Sequence, residues 1–176
     1  MSSTLRMWFY DPSKGNDSYF NSMVAMIDGP YSHTEIQFPN GLACTVYMGC
    51  AVSLRRRTFD TKYYTLVNVP CTPQQVQAAE AAARTFVSEG YAFSNVAMIG
   101  TVFTPANLLR GPKSTFCSKL NADILQSAGL LSHLNTSNLT PSALYRSLAT
   151  RGPSSQPTVA IDFVPRRQAP GITLLR

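Results

Sequence analysis

Cys117 is the residue of this chain whose position best suits nucleophilic chemistry. The segment Ser114-Thr115-Phe116-Cys117 precedes an apolar row at Leu120, Ile124 and Ala128, so the pattern predicts Cys117 in the first turn of a helix. Unpaired backbone N–H groups and the positive end of the helix dipole lie there. Both favour the thiolate, and the N–H groups are suited to hold an oxyanion. The simpler alternative for this residue alone is a small buried hydrophobe.

Two histidines are available to serve as the base for this cysteine. His133 follows the predicted Cys117 helix, whose length of about twelve residues, or ~18 Å, separates the two side chains. His33 lies near the start of a predicted strand, with Glu35 on the same face two residues later. A base on a strand that faces a nucleophile at a helix start can form a Cys–His pair. His33 is therefore the predicted base, although a lone histidine there is usually structural.

A third polar group is expected to orient the imidazole of His33. The predicted hairpin across Pro39-Asn40-Gly41 places the next strand beside this histidine, which makes Thr45 or Cys44 a candidate. Glu35 is the nearby carboxylate, but it could instead bind a substrate ammonium group or face water. The residues alone leave these alternatives open.

The elements that must position these residues predict an α+β fold. Strands are predicted over residues 5–10, 31–38, 42–48, 51–57 and 63–69. Helices are predicted over residues 20–27, 73–89, 114–128 and 141–148, and a long loop with a short helix over 91–112. The clearest helix has Thr72 as its cap and Gln75 at the capping-box position. Strands followed by helices, with one hairpin, indicate a small antiparallel sheet packed on helices.

One domain is predicted over residues 1–152, with a tail over 153–176. The chain has 176 residues, of which 44% are apolar, enough for a single core. After Gly152, four prolines and the pair Arg166-Arg167 indicate a Pro-rich basic tail, with one candidate strand over residues 159–164.

The cysteines and the N-terminus limit the compartment and the cofactors. The four cysteines show no C-x-x-C spacing, and with two histidines they make no zinc-finger pattern, so no metal or other cofactor is expected. The N-terminus lacks the apolar run of a signal peptide, and no stretch approaches ~18 apolar residues. We expect an intracellular, cytoplasmic protein with reduced thiols and no transmembrane segment.

The net charge of +6 suggests an anionic partner such as RNA, DNA or phospholipid. The main cluster within the domain is Arg55-Arg56-Arg57, which is the candidate contact surface. A solvated basic surface is the simpler interpretation.

The segments around the two candidate catalytic residues resemble a known family. Residues 31–38 (YSHTEIQF), followed by Asn40-Gly41, resemble the "SH-x-E-hydrophobic-x-F…G" strand of permuted NlpC/P60-like proteins. Residues 116–120 (FCSKL), followed by Ala128-Gly129-Leu130, resemble their "FCSE-L…AGL" helix, with Lys119 where an acid is common. Further resemblances are to the Gly-x-Tyr-type entry to the nucleophile region and to the "TP-x-x-L" helix, at Gly90-Tyr91 and at residues 138–145.

This resemblance, over residues 5–150, implies a circularly permuted papain-like fold in which the histidine strand precedes the cysteine helix. It implies a catalytic pair of Cys117 and His33, with a polar third residue that maps most nearly to Thr45. Tyr91 would supply an oxyanion-hole hydroxyl, unless it is a core aromatic. The implied activity is a thiol hydrolase that acts on an amide bond of a peptide or protein, as a peptidase, isopeptidase or amidase.

Two other functions remain open on the sequence. Some permuted relatives are lipid acyltransferases or phospholipases, and the apolar stretch 97–110 would suit docking to a membrane. A non-enzymatic basic module would instead use Arg55, Arg56 and Arg57, together with Arg166-Arg167, to bind nucleic acid or a virion component.

Overall fold

A five-stranded antiparallel sheet forms the centre of the described part of the chain. The computed structural model describes residues 3–15, 28–94 and 113–150. The strands are β1 (Ser3–Tyr10), β2 (His33–Gln37), β3 (Leu42–Thr45), β4 (Ser53–Arg56) and β5 (Tyr64–Cys71), in the order β4-β3-β2-β1-β5. All neighbours in this sheet run antiparallel. Two short strands, β6 (Ala92–Phe93) and β7 (Ser114–Thr115), form a separate parallel pair.

The two faces of this sheet have different roles. On β1, Leu5, Met7 and Phe9 are fully buried in the hydrophobic core. Trp8 and Tyr10, which alternate with these residues along β1, pair with β2 as Trp8↔Glu35 and Tyr10↔His33. Because side chains alternate along a strand and cross-strand partners share a face, His33 and Glu35 lie on the face opposite the core of Met7 and Phe9.

In the described residues, three α-helices cover the core face: α1 (Pro73–Ser88), α2 (Cys117–Ser127) and α3 (Pro141–Ala149). The capping box predicted for α1 is present, since Thr72 Oγ1 accepts from the Gln75 N–H at 3.2 Å and Gln75 Oε1 accepts from the Thr72 N–H at 2.9 Å. Helix α2 packs against β2, β3 and α1, while α3 packs against α2 and β5. Leu120 and Ile124, both predicted as inward residues of α2, are fully buried.

The tight turn between β2 and β3 follows from Asn40-Gly41. Gly41 has φ of +82°, a conformation that favours glycine, and the Asn40 side chain accepts from the N–H of Leu42 at 3.0 Å. The turn sets the register Ile36↔Cys44 and so places β3 beside β2, as the sequence predicted.

The α+β class and the antiparallel sheet are confirmed, while several boundaries differ from prediction. Strand β3 ends at Thr45 rather than at residue 48. Helix α2 begins at Cys117 rather than at residue 114, because Ser114–Thr115 pair with Ala92–Phe93, which were predicted to lie in a loop. The helix predicted over 20–27, the rest of the loop at 95–112, and the tail with its boundary at residue 152 lie outside the described residues.

Candidate active site

Cys117 is the first residue of α2, and the start of that helix lacks a side-chain cap. Phe116 occupies the N-cap position with extended backbone (φ −143°, ψ 165°) and offers no side-chain acceptor. The N–H groups of the first turn are therefore available to other partners. The backbone of Ser118 hydrogen-bonds the Cys117 sulfur, as does the backbone of Thr34 on β2. The cysteine itself is only 6% exposed.

Helix α2 is attached to β2 by a buried amide. Asn121 Nδ2 donates to the carbonyl oxygen of Thr34 at 2.8 Å, and both residues are fully buried. The hydrogen-bonded ladder to β3 covers only Ile36 and Gln37 of β2, so the earlier backbone of this strand can bond the helix instead. Because Asn121 lies one turn after Cys117 on the same helix face, this bond holds the thiol next to the start of β2.

The imidazole of His33 lies between the thiol and two polar groups. Its Nε2 is 3.0 Å from Thr45 Oγ1 and 3.5 Å from Glu35 Oε1, and the ring also hydrogen-bonds Cys117. Because Nε2 faces Thr45 and Glu35, Nδ1 is the nitrogen left for the sulfur. The ring stacks on Tyr47, with centroids 4.7 Å apart and planes inclined by 22°. His33 is 13% exposed, which leaves one edge of the pair open to solvent.

The electrostatics of the pair favour a thiolate beside an imidazolium. Burial alone lowers the pKa of His33, but the charge and hydrogen bond of Cys117, followed by Glu35, raise that pKa to about 9. Burial alone likewise raises the pKa of Cys117, but the His33 charge and hydrogen bonds from His33, Thr34 and Ser118 lower it. Each group therefore favours the charged form of the other.

The carboxylate of Glu35 is fully buried and has two close donors besides the imidazole. Its Oε1 accepts from the Tyr47 hydroxyl at 2.7 Å and forms an ion pair with Arg57 at 2.8 Å. Arg57 also donates to the Tyr47 hydroxyl. The suggestion that Glu35 faces water is therefore wrong, because a buried carboxylate requires such partners and this one has them inside the fold.

The three arginines Arg55, Arg56 and Arg57 differ in their surroundings, because β4 ends at Arg56. Arg55 and Arg56 are exposed on β4, whereas Arg57 is half-buried and ion-paired with Glu35. Only the first two arginines therefore remain as a free basic surface.

The structure brings together four of the five predicted site residues: Cys117, His33, Glu35 and Thr45. Tyr91 packs its ring edge-on against Phe86, with centroids 4.7 Å apart. Within the described residues, no hydrogen bond or ring contact joins Tyr91 to His33 or Cys117.

The other two candidates lie in the hydrophobic core and in an exposed turn. Cys44, the alternative third residue, is buried in the core, and burial raises its pKa to about 12. His133 is exposed in the turn after α2, in agreement with its predicted place in a loop.

Three residues of the site were not found from the sequence: Tyr47, Arg57 and Asn121. The alternation of strand residues was the signal for the first two, since Thr45 and Tyr47, like Arg55 and Arg57, are two residues apart. Asn121 was recognisable as a polar residue four positions after Cys117, inside an otherwise apolar helix face.

Comparison of the chain with protein-family models, with curated proteins and with solved structures finds no match. Within the described residues, no group of three or more histidine, cysteine or acidic side chains is arranged to hold a metal ion. The helices of that same part of the chain are too short or too polar to cross a membrane. The chemistry of the Cys117–His33 site is therefore the main guide to function.

Proposed function

We propose that this chain is a cysteine hydrolase that uses Cys117 and His33 to cleave an amide bond of a peptide or protein. The observation that supports it most is the Cys117 thiol at the uncapped start of α2, bonded to an imidazole whose other nitrogen faces Thr45. The order of the histidine strand and the cysteine helix, with the antiparallel sheet, supports a circularly permuted papain-like fold of the NlpC/P60 type.

Acylation begins from the thiolate–imidazolium pair. The Cys117 thiolate attacks the carbonyl carbon of the amide, which forms a carbon–sulfur bond and an oxyanion. The N–H of Cys117, at the uncapped helix start, is suited to bind that oxyanion. The carbon–nitrogen bond then breaks, and the His33 imidazolium gives its proton to the leaving amine, which leaves a thioester on Cys117.

Deacylation restores the pair. His33, now neutral, takes a proton from a water molecule as the water oxygen attacks the thioester carbonyl. The carbon–sulfur bond breaks, the carboxylic acid leaves, and the thiolate and imidazolium are regenerated. Thr45, which hydrogen-bonds Nε2, keeps the other nitrogen directed at the sulfur through both steps.

The test is cleavage of simple peptide amides and of ubiquitin-type substrates, with mass spectrometry to detect an acyl group on Cys117. Wild-type protein should release product, and Cys117→Ala should be folded but inactive. Cys50→Ala is the matched control, because Cys50 is an exposed free cysteine and its loss should leave the rate unchanged. Turnover that survives in Cys117→Ala would refute the proposal.

Lipid ester substrates, run beside these amides, test the acyltransferase or phospholipase alternative, whose candidate docking stretch 97–110 lies outside the described residues. The basic-module alternative is supported by the exposure of Arg55 and Arg56 on the edge strand β4. A basic module would lose its function when these two arginines are reversed in charge and would be indifferent to Cys117→Ala.

A further inference from the structure

We propose that Tyr47 and Arg57 are positioning residues of this site, which hold and neutralise Glu35 so that the Cys117 thiolate is the counterion of the His33 imidazolium. This inference rests on the proposed function and deepens it. Both residues would act on His33 through its contacts with Glu35 and with the Tyr47 ring.

The distances around Glu35 show which cation lies nearest to its carboxylate. Its Oε1 is 2.7 Å from the Tyr47 hydroxyl and 2.8 Å from Arg57, but 3.5 Å from His33 Nε2. The Tyr47 contact is a hydrogen bond and the Arg57 contact is a close ion pair, whereas the His33 contact lies beyond the usual N–H···O range of about 2.7–3.2 Å. Nε2 makes its close contact with Thr45, at 3.0 Å. Arg57 is therefore the cation nearest to the carboxylate.

Tyr47 links the carboxylate to the orientation of the imidazole. Its ring stacks on His33 at 4.7 Å, while its hydroxyl donates to Glu35. One side chain thus limits both the plane of the His33 ring and the position of the carboxylate behind it. Thr45, the last residue of β3, contacts His33, and Tyr47, two residues later, contacts both His33 and Glu35.

Arg57 is itself held in place by aromatic rings. Its guanidinium carbon lies 5.6 Å from the centre of the Tyr47 ring and 5.2 Å from that of Phe59. Phe59 in turn stacks on Trp8, with centroids 4.7 Å apart and planes inclined by 11°. These contacts direct the guanidinium at Glu35, although the Arg57 side chain keeps a 24% exposed fraction.

Loss of Arg57 would make His33 the nearest cation to a fully buried carboxylate. Glu35 Oε2 has no hydrogen-bond partner in the described residues, so the carboxylate has little else to compensate its charge. The imidazolium would then lie between two anions, Glu35 and the Cys117 thiolate, and would release its proton less readily. The other titratable groups near this pair are Tyr10, which is paired with His33 across the sheet, and Tyr47 and Tyr64, on which the Glu35 charge acts. The Glu35 charge also acts on Cys44, which lies on the core face.

The test compares the pH dependence of four proteins: wild type, Arg57→Met, Arg57→Lys and Arg55→Met. Two quantities are followed, the NMR titration of the His33 ring and the kcat and KM for a peptide amide. We expect Arg57→Met to move the His33 titration and the alkaline limb of kcat to higher pH by about one unit. The kcat at pH 7 should fall on the order of tenfold, while KM stays within about twofold.

Two variants serve as controls for these effects. Arg57→Lys keeps the positive charge and should restore most of the wild-type titration. Arg55→Met removes a positive charge from an exposed neighbour, whereas the ion pair with Glu35 is made by Arg57. Its His33 titration, kcat and KM should therefore equal those of wild type.

Two further variants separate positioning from a structural role. Tyr47→Phe keeps the stacked ring but removes the hydroxyl donor. It should move the His33 titration to higher pH by less than Arg57→Met does. Arg57→Met alone could unfold the protein because it leaves a buried charge unpaired. The double variant Glu35→Gln/Arg57→Met removes both charges. The midpoint pH of its His33 titration should equal the wild-type midpoint or lie below it.

The outcomes distinguish this inference from the proposed function. If wild-type protein cleaves amides but the His33 titration is the same in Arg57→Met as in wild type, the inference is overturned and the proposed function stands. A double variant whose His33 titrates at a higher pH than in wild type would also overturn the inference. Wild-type protein that cleaves no amide while His33 responds as expected would refute the function instead.

Discussion

Replacing Cys117 by alanine should lower the pKa of His33, because the thiolate is the main group that favours the protonated ring. Burial opposes protonation, yet the pKa of His33 is raised from 6.5 to about 9. That difference corresponds to about 3 kcal/mol of preferential interaction with the charged ring. In Cys117→Ala the burial remains and Glu35 stays neutralised by Arg57. We therefore expect the pKa to fall by at least about one unit.

NMR titration of the histidine rings measures this change directly, since the chain has only two histidines. His133 is exposed after α2 and serves as the internal reference, and His133→Gln assigns the two signals. Cys50→Ala, which removes an exposed thiol, is the matched control and should leave the His33 titration in place. A pKa that stays near 9 in Cys117→Ala would refute the reasoning, because Glu35 would then be the counterion.

The remaining predictions concern pH, the helix attachment, the α1 cap and the tail. Amide cleavage by wild-type protein should decline as pH rises through about 9, because the His33 imidazolium that protonates the leaving amine is lost; a rate still rising at pH 10 would contradict this. Asn121→Ala should lower the free energy of unfolding in urea by about 2–3 kcal/mol and slow alkylation of Cys117, whereas an unchanged alkylation rate would show that this amide does not position the helix. Thr72→Ala should lower the free energy of unfolding by about 1 kcal/mol, because the helix cap is lost, without changing the alkylation rate of Cys117. Truncation after Gly152 should leave a cooperative unfolding transition, and its loss would place the tail within the domain.

Local sequence signals were sufficient for the elements that carry the pair. The Thr72 and Gln75 pattern identified the start of α1, and the apolar row after Cys117 identified α2. The Asn40-Gly41 turn gave the β2–β3 hairpin, which brings Thr45 to His33. Each of these depends on residues within a few positions of one another, where backbone preferences and side-chain spacing decide the outcome.

The support around the pair depends on contacts that local patterns do not specify. Three adjacent arginines are typical of an exposed basic surface, and only the strand register and the aromatic rings of Tyr47 and Phe59 separate Arg57 from its neighbours. Likewise, Asn121 bonds the backbone of Thr34, 87 positions earlier in the chain. Such pairings are fixed by how α2 packs against β2, which the spacing of residues along either element does not determine.

The most direct test of Cys117 as the activated nucleophile is the rate at which each cysteine reacts with iodoacetamide near pH 6.5. A thiol with an unperturbed pKa is about 1% ionised at that pH, so it reacts slowly. We predict that Cys117 reacts faster than Cys44, Cys71 and even the exposed Cys50, although Cys117 itself is nearly buried. His33→Ala should slow the reaction of Cys117 about tenfold or more and leave that of Cys50 unchanged. A Cys117 rate that is below that of Cys50, or that is equal in wild type and His33→Ala, would contradict a thiolate activated by His33.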